Sequence, residues 1–479
     1  MKLSNDTCYT ALLSRDARFD GRFFVGVAST GIYCRPVCRV RAPKQENCSF
    51  YLSAAAAEAQ GFRPCLRCRP ELAPGNASVD AQSRLAQAAA GLIEDGLLQE
   101  TSLETLAKQL GVTDRHLRRV FAAEFGVSPV AYAQTQRLLL AKRLLTDTRL
   151  PFADVAFAAG FRSVRRFNAL FAERYRLQPG ALRRSQADAQ TDDALCFELA
   201  YRPPYAWEAM LIFLAGRAID GVEQIMHGEY RRAVRVTHHG HEHFGWLTVS
   251  HLPHRAALRV RLAPSLAGVV PLVLGRVKRL FDLGAQPDEI AHHLGGLAAN
   301  EPGLRVPGAF DGFEMAVRAI LGQQITVKAA RTLAGRIAQS LGVSIVTPFA
   351  GVDRCFPSAA ELANRTVDDI ASLGVISARV RAIQALAGAL VRQDLVLAPG
   401  NEIELQLNAL RALPGIGEWT AQYLAMRALS WPDAFPHTDY GIRKALNETN
   451  DRKVLAHAEV WRPWRAYAVM HLWRTLAES

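Results

Sequence analysis

What this chain of 479 residues lacks is a long apolar run. One of its longer uncharged stretches, Leu262 to Gly275, is too short to cross a bilayer and contains two prolines. The first residues, MKLSNDTCYT, hold no apolar segment of the kind a secretory signal requires. The expectation is a cytoplasmic, nucleoid-associated protein with no membrane partner. Cysteine is sparse, with eight residues and none beyond Cys355. Without an export signal, clustered cysteines point to a metal rather than to disulfides. Repeat arrays and low-complexity tracts are missing as well. Core-forming residues are plentiful: 49% of the chain is hydrophobic and 21% charged, which excludes disorder over most of it. The length suggests roughly three domains.

Acidic residues are scarce only at the front. Residues 1–184 hold 27 Lys and Arg against 16 Asp and Glu, and the remainder is nearly balanced at 30 against 29. The formal net charge of +12 therefore belongs almost wholly to the first part. A basic front implies a polyanion partner, and double-stranded DNA is the expected one. Solubility alone would leave the same composition, so the residues themselves must decide.

Four cysteines fall between positions 34 and 68 and define a first unit over 1–73. The stretches PELAPGNASVD (70–80) and RRSQADAQTDDA (183–194) read as linkers. Between them, 81–184 shows apolar residues at three- and four-residue spacing and reads as nearly all helix. Alternation then predicts strands at 197–201, 230–236, 244–250 and 256–262, with helices at 206–217 and 266–283. From Asp311 onward the pattern is helical, broken at Gly374, Pro399-Gly400, Pro414-Gly415 and Pro432.

The cysteine spacing is Cys34-x3-Cys38 and, 26 residues later, Cys65-x2-Cys68. Two close pairs, each filling two corners from one turn, suit one tetrahedral Zn²⁺ held by four thiolates. A purely structural zinc site is the competing reading of these residues. The runs STGIYCRPVCRVR (29–41), ENCSFY (46–51) and GFRPCLRC (61–68) resemble the N-terminal domain of the Ada family of the bacterial alkylation response. The resemblance implies that Cys34 accepts a methyl group from a DNA methyl phosphotriester. Arg35, Arg39, Arg41, Arg63 and Arg67 are then candidates to hold the phosphate.

The stretch 101–126 reads as two helices around Gly111, opened by a Thr101–Glu104 capping box. A second such pattern, 150–182, turns at Gly160. Joined by a long helix near 130–146, the two units resemble the AraC-type double helix-turn-helix domain. The resemblance places the second helix of each in the major groove. Arg115, His116 and Arg119, then Arg162, Arg165, Arg166 and Asn168, are the candidate readers, while Leu117, Val120, Phe121, Phe167 and Phe171 read as core. A transcription activator acting on RNA polymerase is implied.

ALRALPGIGEWTAQYLAMRAL (409–429) carries a Leu-Pro-Gly-x-Gly turn before a helix. Gly415 and Gly417 permit a tight turn with outward N–H groups suited to a DNA phosphate. Asp439 follows at a predicted helix start. With RPPYAWEAMLIFLAGRAI (202–219), AVRAILGQQITVKAA (316–330) and WRPWRAYAVMHLW (461–473), this resembles the alkylation-repair branch of the helix-hairpin-helix DNA glycosylases, from about 195 to 479. The resemblance makes Asp439 the catalytic carboxylate for release of alkylated purines of the 3-methyladenine type. It sets Phe213, Trp419, Tyr423 and Trp473 around the flipped base, with Gln323 and Gln324 near the gap it leaves. A plain helix cap for Asp439, and an aromatic core for Phe213 and Tyr423, are the alternatives.

The bifunctional relatives carry a lysine where Trp419 stands, so lyase activity is not expected. No iron–sulfur cluster is expected either, because the cysteines stop at Cys355. The Pro-Cys-His-Arg motif of Ada's second acceptor domain is missing. The expected architecture is thus multidomain, mainly α with α+β parts. It comprises a zinc-binding methyl acceptor (1–73), a double helix-turn-helix domain (81–184), a small α+β sheet domain (195–302) and a helix-hairpin-helix glycosylase domain (303–479). Two other readings stand beside it: a regulator whose glycosylase-like part only recognises lesions, and a repair enzyme whose front half merely tethers it.

Overall fold

The computed structural model describes residues 3–74, 81–183, 194–238, 240–400 and 403–478. Most of both expected linkers, 75–80 and 184–193, lies outside the described residues.

The cysteine unit opens with helix α1 (Asn5–Ser14), capped by the Ser4 hydroxyl on the Thr7 N–H. Strands β1 (Phe24–Val27), β2 (Ile32–Cys34), β3 (Cys48–Tyr51) and β4 (Arg63–Pro64) form a sheet in the order β3-β1-β2-β4, with helix α2 (Ala54–Ala59) between β3 and β4. The β2–β4 pair is parallel, with Tyr33 opposite Pro64. That register sets the next residues, Cys34 and Cys65, side by side.

The helical stretch runs α3 (Ala81–Glu94), α4 (Leu97–Glu100), α5 (Leu103–Gln109), α6 (Asp114–Phe125), α7 (Pro129–Asp147), α8 (Phe152–Ala158), α9 (Val164–Tyr175) and α10 (Pro179–Arg183). Leu103, Leu106, Ala107 and Leu110 are buried, which is the amphipathic spacing of α5 realised. The expected cap at Thr101 is corrected. Ser102 caps α5 through the Thr105 N–H, and Thr101 turns back to the Leu97 carbonyl to close α4. Two adjacent hydroxyl residues compete there, and only Ser102 is in register with the turn. Thr113 and Ser163 cap α6 and α9, and Gly111 and Gly160 take the left-handed conformation that each tight turn requires.

Five strands follow in the order β5-β9-β8-β7-β6: β5 (Leu195–Ala200), β6 (Glu223–Met226), β7 (Glu229–His238), β8 (His241–Leu252) and β9 (Ala257–Leu262). Sequence alternation missed β6, whose EQIM has little β propensity and is held by its antiparallel pairing with β7. Helix α11 (Trp207–Ala215) precedes β6, and α12 (Val270–Leu280) and α13 (Pro287–Leu294) follow β9. One apolar core joins this sheet to α7–α10, uniting Phe167 and Phe171 with Phe197 and Val249.

The last part is a second large core wrapped by α14 (Gly312–Leu321), α15 (Val327–Leu341), α16 (Ala359–Ala363), α17 (Val367–Ala371), α18 (Ser377–Val391), α19 (Ile403–Arg411), α20 (Glu418–Arg427), α21 (Tyr440–Leu446), α22 (Asp451–Ala458) and α23 (Arg465–Glu478). A short pair, β10 (Val343–Ser344) with β11 (Arg354–Cys355), interrupts the helices and was not expected. Each expected break falls between helices. Among the described residues no helix is long and apolar enough to cross a membrane.

One buried carboxylate joins the front units. Glu58 on α2 accepts from Tyr33 (3.0 Å), Thr135 on α7 (3.0 Å) and Tyr175 on α9 (3.3 Å). Burial outweighs these donors and pushes its carboxyl up to about 7. The folded chain thus holds a proton that the unfolded chain releases near 4.5. This contribution is complete below that value and is lost as pH rises through about 7. Urea denaturation at pH 5 and pH 8 should show stability falling by at most about 3 kcal/mol from this group. Glu58→Gln should remove that slope.

Candidate functional site

The hairpin of α19 and α20 is shaped by its turn. Gly415 has φ of 78°, and a Cβ there would lie 2.8 Å from that of Ala382. Gly417 is the N-cap of α20 and faces open space. Among the described residues no backbone acceptor meets the Gly415 or Gly417 N–H. Arg411 and Glu418 pair at 2.6 Å and staple the two helices. Gln323, after α14, donates to the Gly415 carbonyl and the Thr420 hydroxyl, both at 2.9 Å. Its amide therefore braces the hairpin, whereas the exposed Gln324 projects from a left-handed backbone with φ of 55°.

Asp439 sits beside this hairpin. Its Oδ2 accepts from Trp419 Nε1 at 2.8 Å, and its Oδ1 accepts from Trp473 Nε1 at 2.9 Å. Oδ1 also accepts from the Ile442 N–H at 3.1 Å and so caps α21. One carboxylate thus caps α21 and also lines the cleft. Gly441 packs beneath it, where a Cβ would fall 3.0 Å from Oδ1 and 3.1 Å from the Trp473 ring. Sequence reasoning missed Gly441.

The aromatic residues meet as expected. Trp419 and Tyr423 stack at 5.1 Å with planes 13° apart. Phe213 and Trp473 lie parallel at 6.2 Å, and Tyr423 contacts Trp473 at 6.3 Å. Trp419, Tyr423, Trp473 and Asp439 line a cleft of about 1460 Å³, and Phe213 packs behind it on Trp473. Two arginines not foreseen sit against the rings. Arg217 lies 3.7 Å from the Phe213 centroid, and Arg427 lies 4.8 Å from Phe213 and 5.5 Å from Tyr423. Each follows its aromatic partner by four residues, Arg427 on α20 and Arg217 in the turn just past α11, a spacing that could have revealed it.

In the front unit, the sulfurs of Cys34, Cys38, Cys65 and Cys68 all lie within 4.8 Å of one another. A tetrahedral ion with bonds near 2.3 Å needs sulfur separations of about 3.8 Å, so the cluster fits one Zn²⁺. Contact with Cys38, then Cys65, pushes the Cys34 thiol far up. The four cannot all ionise without a counter-charge. Cys34, Cys38 and Cys65 are buried. The Arg35 N–H donates to Cys68 Sγ at 3.4 Å, and the Val40 and Cys68 N–H groups reach Cys38 and Cys65.

Arg35 departs from expectation. Its guanidinium is buried, paired with Asp20 and bonded to the Cys68 carbonyl, so it buttresses the centre and is not open to a phosphate. Arg39, Arg41 and Arg67 are exposed and Arg63 half-buried, and none forms an ion pair among the described residues. On the candidate reading helices Arg115, Arg119, Arg165, Arg166 and Asn168 are exposed, Arg162 is exposed in the turn before the Ser163 cap, and His116 is half-buried beside Arg119 at 3.3 Å. Leu117, Val120, Phe121, Phe167 and Phe171 are buried.

Comparison with known proteins follows the same division. Residues 7–71 match the metal binding domain of Ada, and 106–185 match a helix-turn-helix domain. Residues 196–311 match the AlkA N-terminal domain, and 317–463 the HhH-GPD superfamily of base excision DNA repair proteins. The chain is 40% identical to the probable bifunctional transcriptional activator/DNA repair enzyme AlkA of Mycobacterium tuberculosis, over 98% of this chain and 96% of that protein. It belongs to that bifunctional Ada/AlkA-type family. The AlkA-type part is also 36% identical to DNA-3-methyladenine glycosylase 2 of Escherichia coli, covering 58% of this chain and 97% of that enzyme. A 3-methyladenine DNA-glycosylase from Archaeoglobus fulgidus shares its fold, with a TM-score of 0.50 and 19% identity over 59% of this chain and 98% of the other. The chain is thus an alkylation-damage protein that combines an AlkA-type DNA glycosylase domain with zinc-thiolate and regulatory domains.

Among the described residues this Ada-type cluster consists of Cys34, Cys38, Cys65 and Cys68, so loss of one thiolate leaves three ligands. Elemental analysis should find about one zinc per chain, and Cys65→Ser should lower that content and the melting temperature of the front unit.

Proposed function

We propose that the AlkA-type part hydrolyses the glycosidic bond of alkylated purines of the 3-methyladenine type, without lyase activity. The observation that carries this reading is the Asp439 carboxylate, held between two indole N–H groups at the mouth of an aromatic cleft beside a phosphate-suited hairpin. A base extruded from the duplex stacks on the Trp419–Tyr423 pair and Trp473. Gly415 and Gly417 N–H groups bind the backbone phosphate, Gln323 positions that hairpin and Gln324 enters the gap. As the C1′–N bond breaks, its electron pair stays with the base and positive charge forms on the sugar. Asp439 stabilises that charge, and water adds at C1′ with loss of a proton through the carboxylate to solvent. Trp419 offers no amine, so no Schiff base forms.

In the same reading the front unit is the sensor. The chemistry that bound zinc supplies is deprotonation of the sulfurs of Cys34, Cys38, Cys65 and Cys68. Cys34 Sγ attacks the methyl carbon of a phosphotriester, an S–C bond forms, and the C–O pair remains on the phosphate oxygen. Four thiolates and a divalent ion sum to −2, and methylation leaves −1. Weaker repulsion from the DNA backbone strengthens binding, with Arg41 and Arg63 against phosphate. Arg115, Arg119, Arg165 and Arg166 then read promoter DNA for a contact with RNA polymerase.

Purified protein on methylated duplex DNA should release free 3-methyladenine, and folded Asp439→Asn should release it at least about a hundredfold more slowly. Undiminished release by that variant would remove the carboxylate from the mechanism. Separately, promoter affinity should rise after incubation with methyl-phosphotriester DNA in the wild type and stay flat in Cys34→Ser.

A further inference from the structure

Arg427 is the last residue of α20 and is 2% exposed. Among the described residues no carboxylate pairs with it. Its donors meet the Tyr423 hydroxyl at 2.6 Å, the Gly308 carbonyl at 3.3 Å and the Pro307 carbonyl. Burial is the main opposition to its charge, and the neighbouring Arg217 and Arg318 charges add to it, while the Tyr423 oxygen and the more distant Glu223 carboxylate support it. A guanidinium stays protonated even so. Burying a cation without a counter-ion is costly, and neutral donors could hold Pro307 and Gly308 equally well. The charge itself therefore calls for an account.

Its position supplies one. Trp419, Tyr423 and Arg427 recur every fourth residue and share one face of α20. The Asp439 carboxylate is bonded to Trp419 at one end of that row, and the Arg427 backbone lies about 12 Å of helix rise away at the other, its guanidinium reaching to the Tyr423 hydroxyl. Arg217 adds a second positive charge on the Phe213 ring at the same end. We propose that Arg427, supported by Arg217, is an electrostatic positioning residue at the base end of the cleft that favours movement of positive charge from the base to the sugar during cleavage. This rests on the glycosylase reading above.

The charge balance gives the sign. An N3- or N7-alkylated purine carries its positive charge on the base before reaction. When the C1′–N bond breaks, the electron pair neutralises the base and the charge appears at C1′ and the ring oxygen. It moves away from two guanidiniums and towards Asp439. Repulsion present with bound substrate is relieved in the transition state, which is differential binding of the kind that raises rate rather than affinity. A neutral base instead gains negative charge as it leaves, and Arg427 stabilises that directly. The aromatic cleft thus carries a directed field and is not an uncharged box for cations.

The test is Arg427→Met, which keeps the length and removes the charge. Single-turnover release of an N-alkylpurine should slow roughly five- to tenfold, the size expected for shifting a unit charge a few ångströms in a medium of intermediate dielectric. Affinity for the same lesion duplex, measured with both variants in the Asp439→Asn background, should be equal or tighter. Arg427→Lys should retain most of the rate. A purely structural role would weaken binding and rate together, and that result overturns the inference, as does wild-type release by a folded Arg427→Met protein. If that variant melts early, Arg217→Met, at a half-buried site on the adjoining loop, must show the same slower release without weaker binding or the inference fails. Wild-type protein that releases no base would instead sink the glycosylase reading, and the inference with it.

Discussion

The hydrogen bonds that converge on Asp439 are the constraint on which the repair half depends. Three N–H donors from three separate elements, α20, α21 and α23, aim at one carboxylate. Each donor fixes something else in turn. The Trp419 bond orients the ring that stacks on Tyr423, the Trp473 bond brings the C-terminal helix against Phe213, and the capping bond starts α21. A carboxylate held this way needs no reorganisation when charge develops on a sugar, which is where preorganised electrostatics has its value. At Gly441 a Cβ would crowd Oδ1 and the Trp473 ring, so a side chain there would press on the pair of bonds at Oδ1.

The front half solves the opposite electrostatic problem. There, four sulfurs gather negative charge that a cation must offset. The surrounding arginines divide into two kinds. Arg35 is buried and neutralised by Asp20, so it supports the scaffold, while Arg39, Arg41 and Arg67 remain open to solvent. The two halves are joined by packing rather than by tether alone, since one apolar core runs from α7–α10 into the five-stranded sheet. Ion pairs reinforce that contact, such as Arg279 with Asp95 at 2.6 Å and Lys278 with Glu94 at 3.2 Å.

Much of the fold was legible because its signals are local. The spacing of α5 and α6, the alternation of β5 and β7–β9, and the glycine and proline breaks after Asp311 act over a few residues. Failures occurred where two local signals competed or where pairing supplied what propensity lacked. On paper Glu104 favoured Thr101 as the cap, and only the turn places it at Ser102. Strand β6 exists because β7 lies beside it. In the site, the carboxylate, the aromatic rings and the cysteines stood out by motif. Arg217, Arg427 and Gly441 did not, because their meaning lies in what they touch.

The sequence by itself determined which chemical groups are available: paired cysteines at ligand spacing, a glycine turn before a helix, and an aspartate at a helix start. Short-range geometry dictates these, so they survive in one dimension. Only the tertiary structure decided which charges are neutralised and which stand alone. Arg35 found Asp20, Glu58 found three hydroxyls from positions 33, 135 and 175, and Arg427 found aromatic rings but no carboxylate. Burial and counter-charge are sums over neighbours far apart along the chain, and no local pattern encodes such a sum.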